Sequence, residues 1–192
     1  MSTTGDERSE IERFRNVIDM MVTAHAYLNE HYFRLSLISD IFLFSSTVIL
    51  CVVAFADPAL LTKVLGVNFS IYAGIFAVLT FIYSFIANSL DWKVKAEKHK
   101  AAFEKYVDLK CQCNDIVEQA RKGKECEPRT FIEKYFTMTA SIISIPEPLF
   151  LKCKKHHKLK VTISKHLDQH PGTSILMFKL KLWIANNLRE TS

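Results

Sequence analysis

Glycine is scarce in this sequence, occurring only at positions 5, 66, 74, 123 and 172. No glycine-rich loop can therefore gather several backbone N–H groups around a phosphate. The metalloprotease spacing H-E-x-x-H is missing, and so is the G-x-S-x-G nucleophile turn. An enzyme has little to stand on, so the expectation is a protein that is not an enzyme, with no cofactor and no catalytic residue. Internal repeats and low-complexity tracts are also lacking. The first 30 residues hold acids and arginines, without the compact apolar stretch of a secretory signal. The first apolar segment must then serve as its own insertion signal.

Charge is missing from two long stretches. Val64 to Leu90 is 27 residues without a charge, and in the 22 residues from Leu35 to Ala56 only Asp40 is charged. A spanning helix needs about 20 apolar residues, because the hydrocarbon is about 30 Å thick and each residue rises about 1.5 Å. Both stretches qualify, with spans at about 36–56 and 70–90. The alternative is a pair of core helices, which would need a domain large enough to wrap both. The rest of the chain is charged and short.

Lys and Arg near the span ends set orientation. Arg13, Arg15 and Arg34 precede the first span, and Lys93, Lys95, Lys98 and Lys100 follow the second. The connecting loop, Asp57 to Lys63, holds a single Lys. Both termini are expected in the cytoplasm, and the location is the inner (plasma) membrane. The net charge of +5 is uneven: residues 1–40 have four Lys/Arg against seven Asp/Glu, and residues 91–192 have twenty against twelve. Anionic lipid headgroups are the ready partner of that basic excess, with nucleotide phosphates second. Nucleic acid is not expected.

Outside the spans the apolar residues keep helical time. Ile11, Phe14, Ile18, Met21, His25, Leu28, Tyr32 and Leu35 alternate spacings of three and four, a heptad seam with one polar member. Trp92, Ala96, His99, Phe103, Tyr106, Leu109, Cys113 and Ile116 repeat the pattern beyond the second span. One helix is expected from about Ser70 to Arg121, closed by Arg121-Lys122-Gly123. The fold class is all-α: a two-span helical hairpin continuing into a cytosolic antiparallel coiled coil, plus shorter C-terminal helices. In domain terms, residues 1–9 form a disordered polar tail, 10–121 the two-span domain, and 122–192 a basic helical region, cytosolic or interfacial. His25 and His99 should lie at similar depth, either as a polar layer that sets register or as a pH switch or metal pair.

In the C-terminal region, Pro128 opens a helix to about Ile143, with Phe131, Tyr135, Met138 and Ile142 on one face. Pro146 and Pro148 end it. A basic run follows, and Lys152, Lys154, Lys155, Lys158 and Lys160 are candidates for lipid or phosphate contact. His156 and His157 within it read as solvated. Ile175 to Leu188 is too short and too charged to span. Its Trp, Leu and Lys fit an interfacial amphipathic helix, or a helix packed on the coiled coil or another subunit. The five cysteines read as reduced thiols, although Cys111, Cys113 and Cys126 could together hold zinc at a spacing no common zinc module uses.

The spans carry a second pattern. Ser70, Ala73, Ala77, Thr80, Ser84 and Asn88 form a stripe of small and polar residues, and Ser36, Ser39, Leu43, Ser46, Leu50 and Ala54 a weaker one. Such stripes serve close helix packing or line a water path. Asp40, about 4–5 Å inside the expected boundary, is either a snorkelling carboxylate or part of a ring at the inner mouth of a cation pore, with Asn88 at comparable depth.

The stretch Leu90-Asp91-Trp92 followed by Ala96, His99, Phe103, Tyr106 and Leu109 resembles the signature of the SLATT domain family, and Ala24, Tyr27 and Tyr32 fit as well. The resemblance covers roughly residues 10–120. It implies a two-span effector of bacterial nucleotide-signalling and antiphage systems, acting as an oligomeric pore former or membrane disruptor. A partner that senses infection, such as a sensor protein or a signal made by a nucleotidyltransferase, would trigger it. The family pattern at Trp92, His99 and Tyr106 reads as structural. The other reading of the whole chain is a membrane anchor that recruits a cytosolic partner through its basic C-terminal region.

Overall fold

The computed structural model describes residues 3–55, 69–122 and 128–190. Among them are six helices and no strand: α1 (Thr3–Phe55), α2 (Phe69–Leu90), α3 (Trp92–Arg121), α4 (Pro128–Ala140), α5 (Glu147–Gln169) and α6 (Ile175–Glu190). The expected loop from Asp57 to Lys63 and the residues Gly123 and Cys126 lie outside the described residues.

α1 runs for 53 residues without a break. No proline falls within it, so no backbone donor is lost from its ladder. It starts at Thr3, inside the stretch expected to be a disordered tail. The second long helix is not continuous as expected. Asp91 separates α2 from α3 with a φ of 47°. A left-handed residue cannot extend a right-handed ladder, and aspartate is among the few side chains that tolerate that region. The ladder resumes at once, the Lys95 N–H donating to the Asp91 carbonyl at 3.0 Å.

The chain divides into two compact units, one formed by Met1–Tyr27 with Ala102–Ser192, the other by Leu28–Ala101. In the first unit, α1 and α3 meet in antiparallel order. The Cys113 thiol reaches the Ile11 carbonyl at 3.9 Å, Lys110 pairs with Asp19, and Tyr106 stacks on His25. The core is not made by two helices alone. Ile11, Ile18, Tyr106, Leu109, Cys113 and Phe131 are buried together, and Ile132, Tyr135, Met138 and Ile142 pack against them. α4 thus completes a three-helix core. Its apolar face covers the side of the seams that a two-stranded pairing leaves open, although the expected boundary at 121/122 had set this helix apart. The ring of Phe14 meets that of Tyr135 edge-on at 5.0 Å, and Lys105 donates to the Ser141 hydroxyl at 3.0 Å.

α5 starts where Pro146 and Pro148 expect a break, because proline in the first helical turn forfeits no intrahelical hydrogen bond. The basic run is therefore helical, with its lysines spread around most of the circumference. A narrow strip between them packs on α1: Cys153 is buried with its thiol 3.9 Å from the Ala24 carbonyl, and the His156 ring lies 4.6 Å from that of Tyr27. α6 returns against α5 through a flat stack of Phe178 on His166, with centroids 3.9 Å apart.

In the second unit, α1 and α2 lie side by side, Phe42 meeting Tyr83 edge-on at 4.9 Å. Both long helices are apolar enough, over enough length, to cross a membrane. In their most apolar stretches only 11% of residues on the first and 0% on the second are buried. Core helices of a soluble domain would show the opposite.

Candidate functional site

The middle of each stripe in the second unit faces inward, whereas Ala54 and Asn88 at their ends are exposed. Ser39 and Ser46 on α1 and Thr80 on α2 are buried, and Ala73, Ala77 and Ser84 are half-buried. Small side chains at this spacing let two helices approach closely. The Thr80 hydroxyl donates to the Phe76 carbonyl one turn earlier at 2.9 Å, so it needs neither water nor a partner across the contact. Ser46 and Thr80 thus occupy a helix-packing seam within one chain. Ala73 lies farther along, beside Ile49, Leu50 and Val53. The outward faces are apolar: Ile38, Ile41, Phe44 and Val52 on α1, and Ile71, Val78, Phe81 and Phe85 on α2, are all exposed.

At one end the seam opens into a cleft of about 530 Å³. Ser36, Ser39 and Asp40 line it from α1, and Ser84 and Asn88 from α2. Asp91, Trp92 and Lys93 close the far wall. Asp91, at the break between α2 and α3, and Lys93 thus border the same opening as Asp40. Asp40 and Asn88 are exposed, whereas Ser39 is buried at the cleft's base. Two carboxylates, an amide and hydroxyls at the end of an otherwise apolar helix pair make a place for water and cations, with Lys93 partly offsetting the negative charge. Their expected depth in the spans had placed Asp40 and Asn88 together. It gave no sign that Asp91 and Lys93 would join them.

The two seam histidines fall in different units. Each lies against a tyrosine: His25 on Tyr106 at 5.3 Å in the first unit, His99 on Tyr32 at 5.6 Å in the second. Flat rings of similar size fill a helix seam while satisfying part of its polarity. Burial lowers the pKa of His99 below its usual value, and burial, helped by the nearby Tyr135, pushes that of Tyr106 up to about 12. Both side chains are therefore neutral near pH 7.

Lys152, Lys154, Lys155, Lys158 and Lys160 are all exposed on α5. His157, expected to be solvated, is half-buried with its Nδ1 3.0 Å from the Thr23 hydroxyl. That hydroxyl already donates its one hydrogen to the Asp19 carbonyl at 3.0 Å. His157 must then carry the proton on Nδ1 and donate it. Cys153 and His157, four apart, were the sequence signal for this buried side. Cys111 and Cys113 fall on different faces of α3, one exposed and one buried, and do not converge on a shared ligand. Among the described residues no group of three His, Cys, Asp or Glu side chains could hold a metal ion.

Comparisons with family models, with curated proteins and with solved structures find no match for this chain.

Proposed function

We propose that this chain is a subunit of an oligomeric membrane effector that permeabilises the inner membrane when triggered. α1 and α2 cross the bilayer as a hairpin, both termini are cytoplasmic, and the three-helix core stands in the cytosol as an elaborated coiled coil. The observation that carries the reading is how side chains sort on the α1–α2 pair, with apolar groups outward and small and polar groups inward. Outward Phe, Ile and Val suit lipid. The inward stripes align small and hydroxyl side chains that can wet a water path.

One hairpin is too few helices to enclose such a path, and here its stripes cover each other. The single chain corresponds to a closed state. Opening requires several copies to exchange the stripe contact within a chain for contacts between chains, so that Ser46, Thr80 and Ser84 meet water. Asp40 and Asn88 then stand at the inner mouth. A trigger can drive this only by binding the open assembly better than the closed one. The SLATT resemblance supports an antiphage role and a separate sensor or nucleotide signal as that trigger.

Purified full-length protein in dye- and ion-loaded liposomes tests the idea, with Thr80→Cys probed by a water-soluble thiol reagent. Leakage that rises with protein density, together with Thr80→Cys labelling, is expected. Tight liposomes at every density would sink it. The largely apolar outer faces also suit a passive anchor that recruits a partner through the basic C-terminal helices. Deleting residues 145–192 separates the two while sparing α4 and its core. The effector then still leaks without regulation, whereas the anchor loses its activity and never conducts.

A further inference from the structure

α6 has two apolar faces, and only one is covered. Phe178 stacks on His166, and Ile175 and Lys179 border a groove against Leu159 and Ile163 of α5. Leu176, Met177, Leu180, Trp183 and Ile184 point elsewhere. Their spacing of one, three, three and one places them on a single arc of roughly 120° at about 100° per residue. All five are exposed, Leu176 by 78% and Trp183 by 64%. On the same helical wheel Lys179 and Lys181 fall on opposite flanks of this arc.

We infer that this arc of α6 is a docking surface for an anionic bilayer, into which Leu176, Met177, Leu180, Trp183 and Ile184 insert while Lys179 and Lys181 meet lipid phosphates. The inference rests on the membrane reading above for the nearness of a bilayer. Charge decides the occupant. Residues 147–190 carry nine Lys/Arg against three Asp/Glu. A second copy pairing arc to arc would bring flanking lysines against flanking lysines, which repel. A leaflet with anionic headgroups offers hydrocarbon to the arc and negative charge to its rims at once. Tryptophan suits that depth, since its ring is apolar and its indole N–H finds a polar partner at the headgroups. The arc is too short to span, so it lies along the surface. Packing on α5 fixes its orientation beforehand, so little ordering remains to oppose binding.

The test uses full-length protein in nanodiscs of phosphatidylglycerol with phosphatidylcholine, or of phosphatidylcholine alone, containing acyl chains brominated near the headgroup. The fluorescence difference between wild type and Trp183→Phe isolates Trp183, and Trp92→Phe gives the same signal directly. The inference expects bromolipid quenching of Trp183 in anionic discs, at least twofold weaker in neutral discs and in Lys179→Glu/Lys181→Glu. Equal quenching in both lipids overturns the charge recognition. Emission that acrylamide quenches freely and bromolipid does not overturns the docking. Protection from both quenchers also overturns it, in favour of a protein covering the arc. Alkaline carbonate extraction reads the spans separately, because protein washed from the membrane overturns the spans whatever Trp183 reports.

Discussion

His99 lies flat on Tyr32, their ring centroids 5.6 Å apart and their planes 5° from parallel. The imidazole is buried, and burial lowers its pKa from the usual 6.5. Above that value His99 is neutral whether the chain is folded or not. Below it the unfolded chain takes up the proton first, so stability falls as pH drops toward the lowered folded value. The melting temperature in detergent, followed by circular dichroism, should fall between about pH 7.5 and about pH 5.5. His99→Phe keeps a ring on Tyr32 and should flatten that fall. His99→Leu should lose about 0.5–1.5 kcal/mol, the worth of an aromatic pair. A gain in stability would instead identify His99 as a polar layer held only for register.

Phe131 of α4 sits in one core with Ile18 and Leu109. Phe131→Ala should cost about 3–5 kcal/mol and lower the melting temperature of the whole first unit. A change within experimental error would mean that α4 is peripheral to the α1–α3 seam.

Asp91 holds a left-handed φ of 47°. Asp91→Gly should leave stability unchanged or raise it slightly, because glycine adopts this region without strain. Asp91→Ala should cost about 1 kcal/mol. Thermal melts of the two variants check the order, and a more stable alanine variant would mean that the break straightens readily.

Cys113 and Cys153 are buried, and burial raises both thiol pKa values, with Arg15 partly opposing the rise at Cys113. The thiolate is the reacting form. Maleimide labelling mapped by mass spectrometry should mark exposed Cys111 well before either of them, and should reach both once the chain is denatured. Early labelling of Cys153 would show that α5 detaches from α1.

Thr80 is buried in the α1–α2 seam. Thr80→Leu adds volume where the helices touch and should destabilise the pair by about 1–3 kcal/mol. In liposomes this variant should leak more than wild type at equal density, because only the closed state suffers. Lower leakage would show that the seam does not separate on opening.

The seams were legible because periodicity reports which side of a helix is hidden. Ile18, Leu28, Ala96 and Leu109 are all buried as their spacing requires. Periodicity does not say what does the hiding. Phe131, Tyr135, Met138 and Ile142 plainly shared a face, yet nothing in their spacing pointed to α1 and α3. The basic run misled for a related reason: its lysines dominate composition, while Cys153, His156 and His157 carry the contact. Asp91 was illegible because an aspartate between two helical patterns is ordinary until its φ is known. The cleft inherits that blindness at Asp91 and Lys93, whereas Ser84 and Asn88 were found by spacing and Asp40 as the one charge within either span.

The first unit is assembled from the two ends of the chain, Met1–Tyr27 and Ala102–Ser192, with the second unit inserted between them. Synthesis therefore makes the first third of this core long before the rest. At about 5–20 residues per second, Ile11 and Ile18 wait on the order of ten seconds for Leu109 and Phe131. During that wait both apolar helices leave the ribosome, so on the membrane reading proposed above their insertion precedes closure of the core. Until then Ile11 and Ile18 have none of the partners that α3 and α4 bring to the finished core.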